Sequence, residues 1–322
     1  MDRLGLAIQP PPNNACENQH RRHVGARNLK MRLKCEIPQT VQVLIRNSTR
    51  NRRLIRAAAV LLIVLTWIFT TTFLEGSSVA VRVLLLGDSS VEGSVCRLVA
   101  PKADHLEDII RKCLSVEPDL PPVEVVNQGR DGEFIQGLLQ GRYDRGIKPL
   151  GRFDYILIRY GINDRARREN FAETFPKDYS ALIARLRQDN PQATIIVETT
   201  IPFGEGTREA EINKLVRKVA ETEKLPLLDS SATFAEALKR DGPNALNYRR
   251  MRLVAIPERF RRLLPPASLE VIRNEVVVMD NSLDAHFRDV PGWFVDRHPN
   301  FAGYHVLGQG IADFLTSRIR SR

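Results

Sequence analysis

A chain of 322 residues, 43% hydrophobic and 27% charged, is long enough for one sizeable α/β domain preceded by a leader. Its formal net charge of +10 is concentrated at one end: residues 1–56 hold 12 Lys/Arg against 3 acidic residues, a surplus of +9, which leaves +1 for the remainder. That partition, with no basic stripe interleaved with aromatics, excludes a nucleic-acid surface on the folded part and leaves the basic N-terminal arm as the weak alternative.

In chain order, residues 1–53 read as a basic, non-globular leader, with the run Pro10-Pro11-Pro12-Asn13-Asn14 and no usable periodicity. Residues 54–80 form a membrane anchor or signal peptide. The stretch 57–74 (AAAVLLIVLTWIFTTTFL) is 18 residues without a charge, preceded by Arg50, Arg52, Arg53 and Arg56. Basic residues ahead of an apolar run place its N-terminus on the cytoplasmic side and the following domain outside. Ser78-Val79-Ala80 offers a small-x-small cleavage site, so an uncleaved single-pass anchor and a long-leader signal peptide giving a secreted or periplasmic domain are both open. Met31 is an alternative start, because residues 31–56 alone supply a basic n-region. Cys16 and Cys35 lie in the leader. Cys96 and Cys113 either pair in an oxidising compartment or remain free thiols.

From residue 81 onward strands alternate with helices. Val81-Arg-Val-Leu-Leu-Leu-Gly87 is a short buried strand, and further strands are expected at 123–127, 154–159, 193–199 and 225–229. Helical patterns occupy 103–114, 179–187, 211–224 and 301–319. This alternation implies a doubly wound parallel sheet. Residues 241–295 break the rhythm with Pro243, Pro257, Pro265-Pro266 and Pro291, and are expected to be an insertion near the active edge. Within it, the six arginines of 249–262 read as a solvated helix face, with contact to an anionic substrate or lipid surface as the alternative.

Four blocks stand where an open α/β sheet places its ligands, beyond strand C-termini or ahead of a helix. Gly87-Asp88-Ser89-Ser90 follows the first strand, with Ser90 expected as a helix cap. Asn127-Gln-Gly129-Arg-Asp-Gly132 follows the second and lacks the G-x-G-x-x-G spacing of a dinucleotide loop. Gly161-Ile-Asn163-Asp164 follows the third, and Asp164 is expected to anchor its own loop. Asp296-Arg-His298-Pro-Asn300 precedes the last helix, offering a general base with an orienting carboxylate. His105, His286 and His305 have no local partner pattern, no clustered ligand motif suggests a metal, and no phosphate loop follows the first strand to suggest a flavodoxin-like cofactor.

Taken together, these blocks resemble the SGNH (GDSL-type) hydrolases over about residues 81–320. The G-x-S-x-G elbow of the α/β-hydrolases is missing. The resemblance implies a three-layer, flavodoxin-like doubly wound sheet of about five parallel strands. It also implies Ser89 as nucleophile, His298 as general base, and an oxyanion hole built from the backbone N–H groups of Ser89 and Gly132 with the Asn163 side chain. The family's usual acid position, three residues before the histidine, is Val295 here. Asp296 is the substitute, with Asp284, Asp289 or a Ser–His dyad supported by a backbone carbonyl as alternatives. The expected protein is therefore an exported or membrane-anchored serine esterase needing no cofactor or metal, with a small-molecule or carbohydrate ester as partner. The alternatives are an inactive glycan-binding module on the same fold and a lysophospholipase-type lipid acyl hydrolase.

Overall fold

A run of four apolar residues can be hidden only if both faces of its strand are covered, and this dictates the architecture. The computed structural model describes residues 80–203, 208–270, 272 and 274–321. Strand β1 (Val81–Gly87) pairs in parallel with β2 (Val123–Gly129) on one side and β3 (Tyr155–Arg159) on the other. Strands β4 (Thr194–Glu198) and β5 (Leu227–Leu228) complete a five-stranded parallel sheet of order β2-β1-β3-β4-β5. This is the flavodoxin-like order, whose chain reversal falls between β1 and β3 and opens a crevice at their C-terminal ends.

Alternation along β1 sends Val83 and Leu85 to one face and Leu84 and Leu86 to the other. The first face is covered by helix Leu106–Ser115 and the final helix Phe301–Arg320. The second is covered by helices Phe171–Asp189 and Arg208–Glu223 and by the π-helical segment Leu138–Ile147. Three layers result, as the alternation of elements predicts.

The boundaries move where packing overrides local preference. The helix expected at 179–187 begins at Phe171 and runs through Pro176. Phe171, Phe175 and Tyr179 recur every four residues, their rings 4.8 and 5.4 Å apart and all buried. Burying three aromatics outweighs the one hydrogen bond that proline removes. Strand β5 is shorter than expected because Pro226 can offer only its carbonyl, which accepts from Val197 N–H at 3.0 Å.

The expectation of a solvated arginine-rich helix at 249–262 holds only for the second half, where Glu258–Arg261 is a short helix with Arg259 exposed; the first half is a strand. Strand β6 (Arg249–Arg252) pairs antiparallel with β7 (Glu275–Val278) over a small core that includes Ile256, Val276, Phe287 and Trp293. Arg249 is buried and bidentate to Asp284, which also accepts from Trp293 Nε1 at 2.8 Å. Arg250 pairs with Glu275 at 2.7 Å. Val277 and Tyr248 pack with Val95, which ties this segment to the start of the main domain.

A second buried ion pair lies under the sheet's C-terminal edge. Arg159, at the end of β3, donates to Glu198 Oε1 at the end of β4 (2.6 Å) and to the Ser90 carbonyl (2.9 Å). Glu198 also accepts from Ser230 Oγ (2.5 Å). Both partners are nearly sealed from solvent, with side chains 1% and 3% exposed. Cys96 and Cys113 are free thiols.

The leader and the charge-free run 57–74 lie outside the described residues, and among the described residues no helix is long and apolar enough to cross a membrane.

Removing one member of a buried pair leaves the other charge unpaired. Arg159→Met is expected to destabilise the protein by about 3–5 kcal/mol, and Arg159→Met/Glu198→Leu to recover most of it. Urea denaturation of the three proteins checks this; a double variant no better than the single one refutes it.

Candidate active site

Each of the four blocks follows a strand or precedes a helix because the sheet stops there and its last backbone groups need new partners. After β1 the chain turns into helix α1 (Ser89–Glu92), capped by Asp88, which accepts from Ser90 N–H at 2.9 Å and from Ser90 Oγ at 2.7 Å. The cap is thus Asp88 and not Ser90, which is itself buried within the first turn. Burial raises the Asp88 carboxyl above its ordinary range, while the two Ser90 hydrogen bonds and the Arg159 charge act against the shift. Ser89, at the first helical position, carries one of the N–H groups that a helix leaves unpaired.

Ser89 Oγ lies 2.8 Å from His298 Nε2, and His298 Nδ1 lies 2.6 Å from Asp296 Oδ1. A carboxylate can only accept, so Nδ1 carries the proton and Nε2 is the acceptor for the Ser89 hydroxyl. Asp296 Oδ1 also accepts from the His298 backbone N–H at 3.0 Å, closing a tight turn that makes the two-residue spacing work. Of the alternative acids, Asp284 is engaged by Arg249 and Asp289 is exposed on the 241–295 segment.

Burial on its own would lower the His298 pKa. The hydrogen bond and charge of Asp296, with the more distant charges of Asp88 and Asp131, outweigh it and raise the imidazole above its ordinary value. The ring is held by Tyr248, stacked at 5.7 Å with an interplanar angle of 8°, and by Phe203, edge-on at 5.4 Å and 89°. Tyr248 N–H donates to the His298 carbonyl at 3.2 Å, and Asn247 Nδ2 donates to the Arg297 carbonyl at 2.5 Å. Neither aromatic has a signal in the sequence. Tyr248 arrives through the 241–295 segment, and Phe203 through the loop after β4.

The second and third blocks are tied to each other. Asn163 Nδ2 donates to the Glu133 carbonyl at 3.1 Å, and Asp164 Oδ1 accepts from Ile135 N–H at 2.9 Å. Asp164 therefore anchors the 132–135 loop as well as its own backbone. Gly132 adopts φ +68°, a left-handed conformation that suits glycine, with the Arg167 side chain 3.2 Å from where a Cβ would stand. A Cβ on Gly129 would lie 2.3 Å from Glu92 N, so only glycine lets β2 run this close beneath α1. Asn127 is structural: its Nδ2 donates to the Val91 carbonyl and to Glu107, both at 2.9 Å.

Next to Ser89 lies a pocket of about 20 Å³, walled by Val95, Tyr248, His298 and Tyr304 and by the polar Ser94, Asp131 and Arg250. Among the described residues no group of three or more His, Cys, Asp or Glu is placed to hold a metal ion. The structure brings together a hydroxyl, an imidazole and a carboxylate in line, a set that can move a proton, whereas Gly132 and Asn163 line two clefts outside the small pocket at Ser89.

The sequence profile of the GDSL-like lipase/acylhydrolase family matches residues 85–250. No curated protein sequence matches the chain. Among solved structures it is similar to the acetylxylan esterase Axe2 from Geobacillus stearothermophilus, 18% identical, with 73% of this chain and 95% of that one covered and a TM-score of 0.48. It is similar also to the lipase/acylhydrolase from Enterococcus faecalis (18% identity, 74% and 96% covered, TM-score 0.46). A third is an alpha/beta hydrolase enzyme from the metagenome of Lake Arreo, Spain (18% identity, 74% and 97% covered, TM-score 0.47). These scores are too low to say what this chain acts on.

Burial pushes the Asp164 carboxyl up to about 7, against the Ile135 hydrogen bond, with the Asp88 charge adding to the rise. An acid whose folded pKa lies above its unfolded value of about 4 contributes stability below pH 4 that is lost as pH rises through about 7. Asp164→Asn keeps an acceptor for Ile135 and removes the titration. The variant is expected to gain roughly 1–3 kcal/mol on the wild type between about pH 5 and about pH 8, read by denaturation at both pH values. Parallel pH dependences in the two proteins contradict this.

Proposed function

The chain belongs to the GDSL-like lipase/acylhydrolase family and is an ester hydrolase, and from that premise we propose that it removes a short acyl group, acetyl above all, from a carbohydrate ester through an acyl-serine at Ser89. The observation that carries this reading is the Ser89 Oγ–His298 Nε2 distance of 2.8 Å, continued by Asp296 at 2.6 Å.

In the first step His298 Nε2 takes the Ser89 proton while Oγ attacks the ester carbonyl carbon. Asp296 stabilises the imidazolium that forms and keeps the ring in the productive tautomer. The new oxyanion is held by the backbone N–H groups of Ser89 and Gly132 and by Asn163 Nδ2. The Glu133 carbonyl engages that amide from the protein side and orients it. Collapse expels the alcohol, which receives the proton from His298. Water, deprotonated by His298, then attacks the acyl carbon and Ser89 regains its proton. Each oxyanion donor in such a site contributes roughly 3–4 kcal/mol to transition-state stabilisation.

The small pocket beside Ser89 supports a short acyl group, since about 20 Å³ holds a methyl and not a fatty chain. A binding module without chemistry is disfavoured because the protein belongs to a hydrolase family and the serine and histidine are within bonding distance. The basic flank before residues 57–74 supports a domain exported through the membrane and either anchored there or released.

Ser89→Ala in the full-length protein is expected to lower kcat on p-nitrophenyl acetate by roughly 10⁴-fold or more and to abolish labelling by a fluorophosphonate probe. Retained turnover would falsify the assignment of Ser89. Because the reaction needs neutral His298 and its pKa is raised, kcat/KM is expected to climb with pH along a limb centred above about 6.5. Asp296→Asn removes the charge that raises it. A fall in kcat of roughly 10²–10⁴-fold with the limb shifted to lower pH is the expected outcome of a pH–rate profile; an unmoved limb assigns the orienting role elsewhere.

A further inference from the structure

Most arginines of the described domain are neutralised by a nearby carboxylate, among them Arg82, Arg97, Arg142, Arg168 and Arg250. Three that are not converge on one cleft. Arg130, Arg145 and Arg167 are exposed and line a cavity of about 480 Å³ that is also lined by Gly132, the candidate oxyanion donor. None of the three forms an ion pair among the described residues; Arg167 lies over the Phe134 ring at 5.2 Å. The cleft's one acid, Glu133, is already satisfied by Arg142 at 2.5 Å and by Tyr160 O–H at 2.7 Å, so it does not offset them. Asp144 on the neighbouring surface is engaged by Arg185.

The wall carrying these groups is unusual. Leu138–Ile147 is π-helical, a form that occurs at functional sites more often than chance. Gly137 and Gly141 face the cleft, and at Gly141 a side chain would meet open space. The cleft is therefore open above the backbone at Gly141, while the Phe134 ring covers Gly137, and guanidinium groups stand at its rim. The pocket beside Ser89 is about 20 Å³, so most of a substrate must lie in a neighbouring cleft. The loop that supplies Asp131 to that pocket supplies Arg130 and Gly132 to the cleft.

We propose that this cleft is a subsite for an anionic group, a carboxylate or phosphate, on the alcohol portion of the ester. The protein would then act on acidic acylated substrates in preference to neutral ones. This rests on Ser89 and His298 being the hydrolytic centre. A planar guanidinium binds carboxylate or phosphate oxygens in a two-point geometry, and three of them around an open cleft attract such groups from solution.

The test uses three probes that share one acetyl ester: 4-acetoxybenzoate, 4-acetoxyphenyl phosphate and methyl 4-acetoxybenzoate. Affinity is measured by NMR titration on full-length Ser89→Ala protein, and turnover on the wild type. The charged probes are expected to bind about tenfold more tightly than the methyl ester, with the gap closing as salt is raised. The ratio of carboxylate to phosphate affinity identifies which anion the cleft prefers. Arg145→Ala and Arg167→Ala, each in the Ser89→Ala background, are expected to cut the preference at least about threefold. Arg318→Ala, on the opposite face of the sheet, should not. Equal affinity for all three probes, no detectable binding of the charged ones, or an equal loss with Arg318→Ala overturns the subsite. A retained charge preference without wild-type turnover overturns the hydrolytic reading of Ser89 and leaves the anion subsite standing.

Discussion

The structure depends most on the buried guanidinium of Arg159. It closes the C-terminal edge of the sheet by joining β3 to Glu198 on β4 and to the Ser90 carbonyl beyond β1. Two charges withdrawn from water contribute little net stability. Their value is positional, because an unpaired partner at that depth is costly, and among the described residues the two terminal nitrogens of Arg159 find acceptors only at Glu198 and Ser90. The turn carrying Ser89 is therefore fixed from below, and Asp88 fixes it from the side through Ser90. A hydroxyl held this way needs little reorganisation to reach a reacting geometry.

Around this floor the chain spends polar groups on loop-to-loop bonds and not on solvent. Asn163 and Asp164 hold the loop of Gly132; Asn127 holds α1 against β2; Asn247 holds the turn of His298. Each bond crosses between segments far apart in sequence. The imidazole is then placed by two aromatics and a carboxylate, and the same carboxylate raises its pKa against the effect of burial. A site assembled this way couples stability to pH, since Asp88 and Asp164 are buried acids whose ionisation is disfavoured.

A pocket of about 20 Å³ beside Ser89 and an open, arginine-rimmed cleft of about 480 Å³ share the loop 130–132. The pocket is closed by Tyr248 and Arg250 from the 241–295 segment, and the cleft is walled by the segment after β2.

Much of this was legible without coordinates. Runs such as Val83–Leu86 demand cover on both faces, and their alternation with helical stripes leaves a doubly wound sheet as the economical solution. Gly-Asp-Ser, Asn-x-Gly, Gly-x-Asn and Asp-x-His sit at strand and helix ends because those local chemistries end or begin elements. What the sequence could not determine is whatever depends on distance through space. Whether Asp296 reaches His298 at the shorter spacing, that Arg249 is buried against Asp284, and that Tyr248 stacks on the imidazole follow from packing between remote segments. So does the convergence of Arg130, Arg145 and Arg167. Local pattern encodes which face a residue presents; only the closed tertiary structure decides what that face meets.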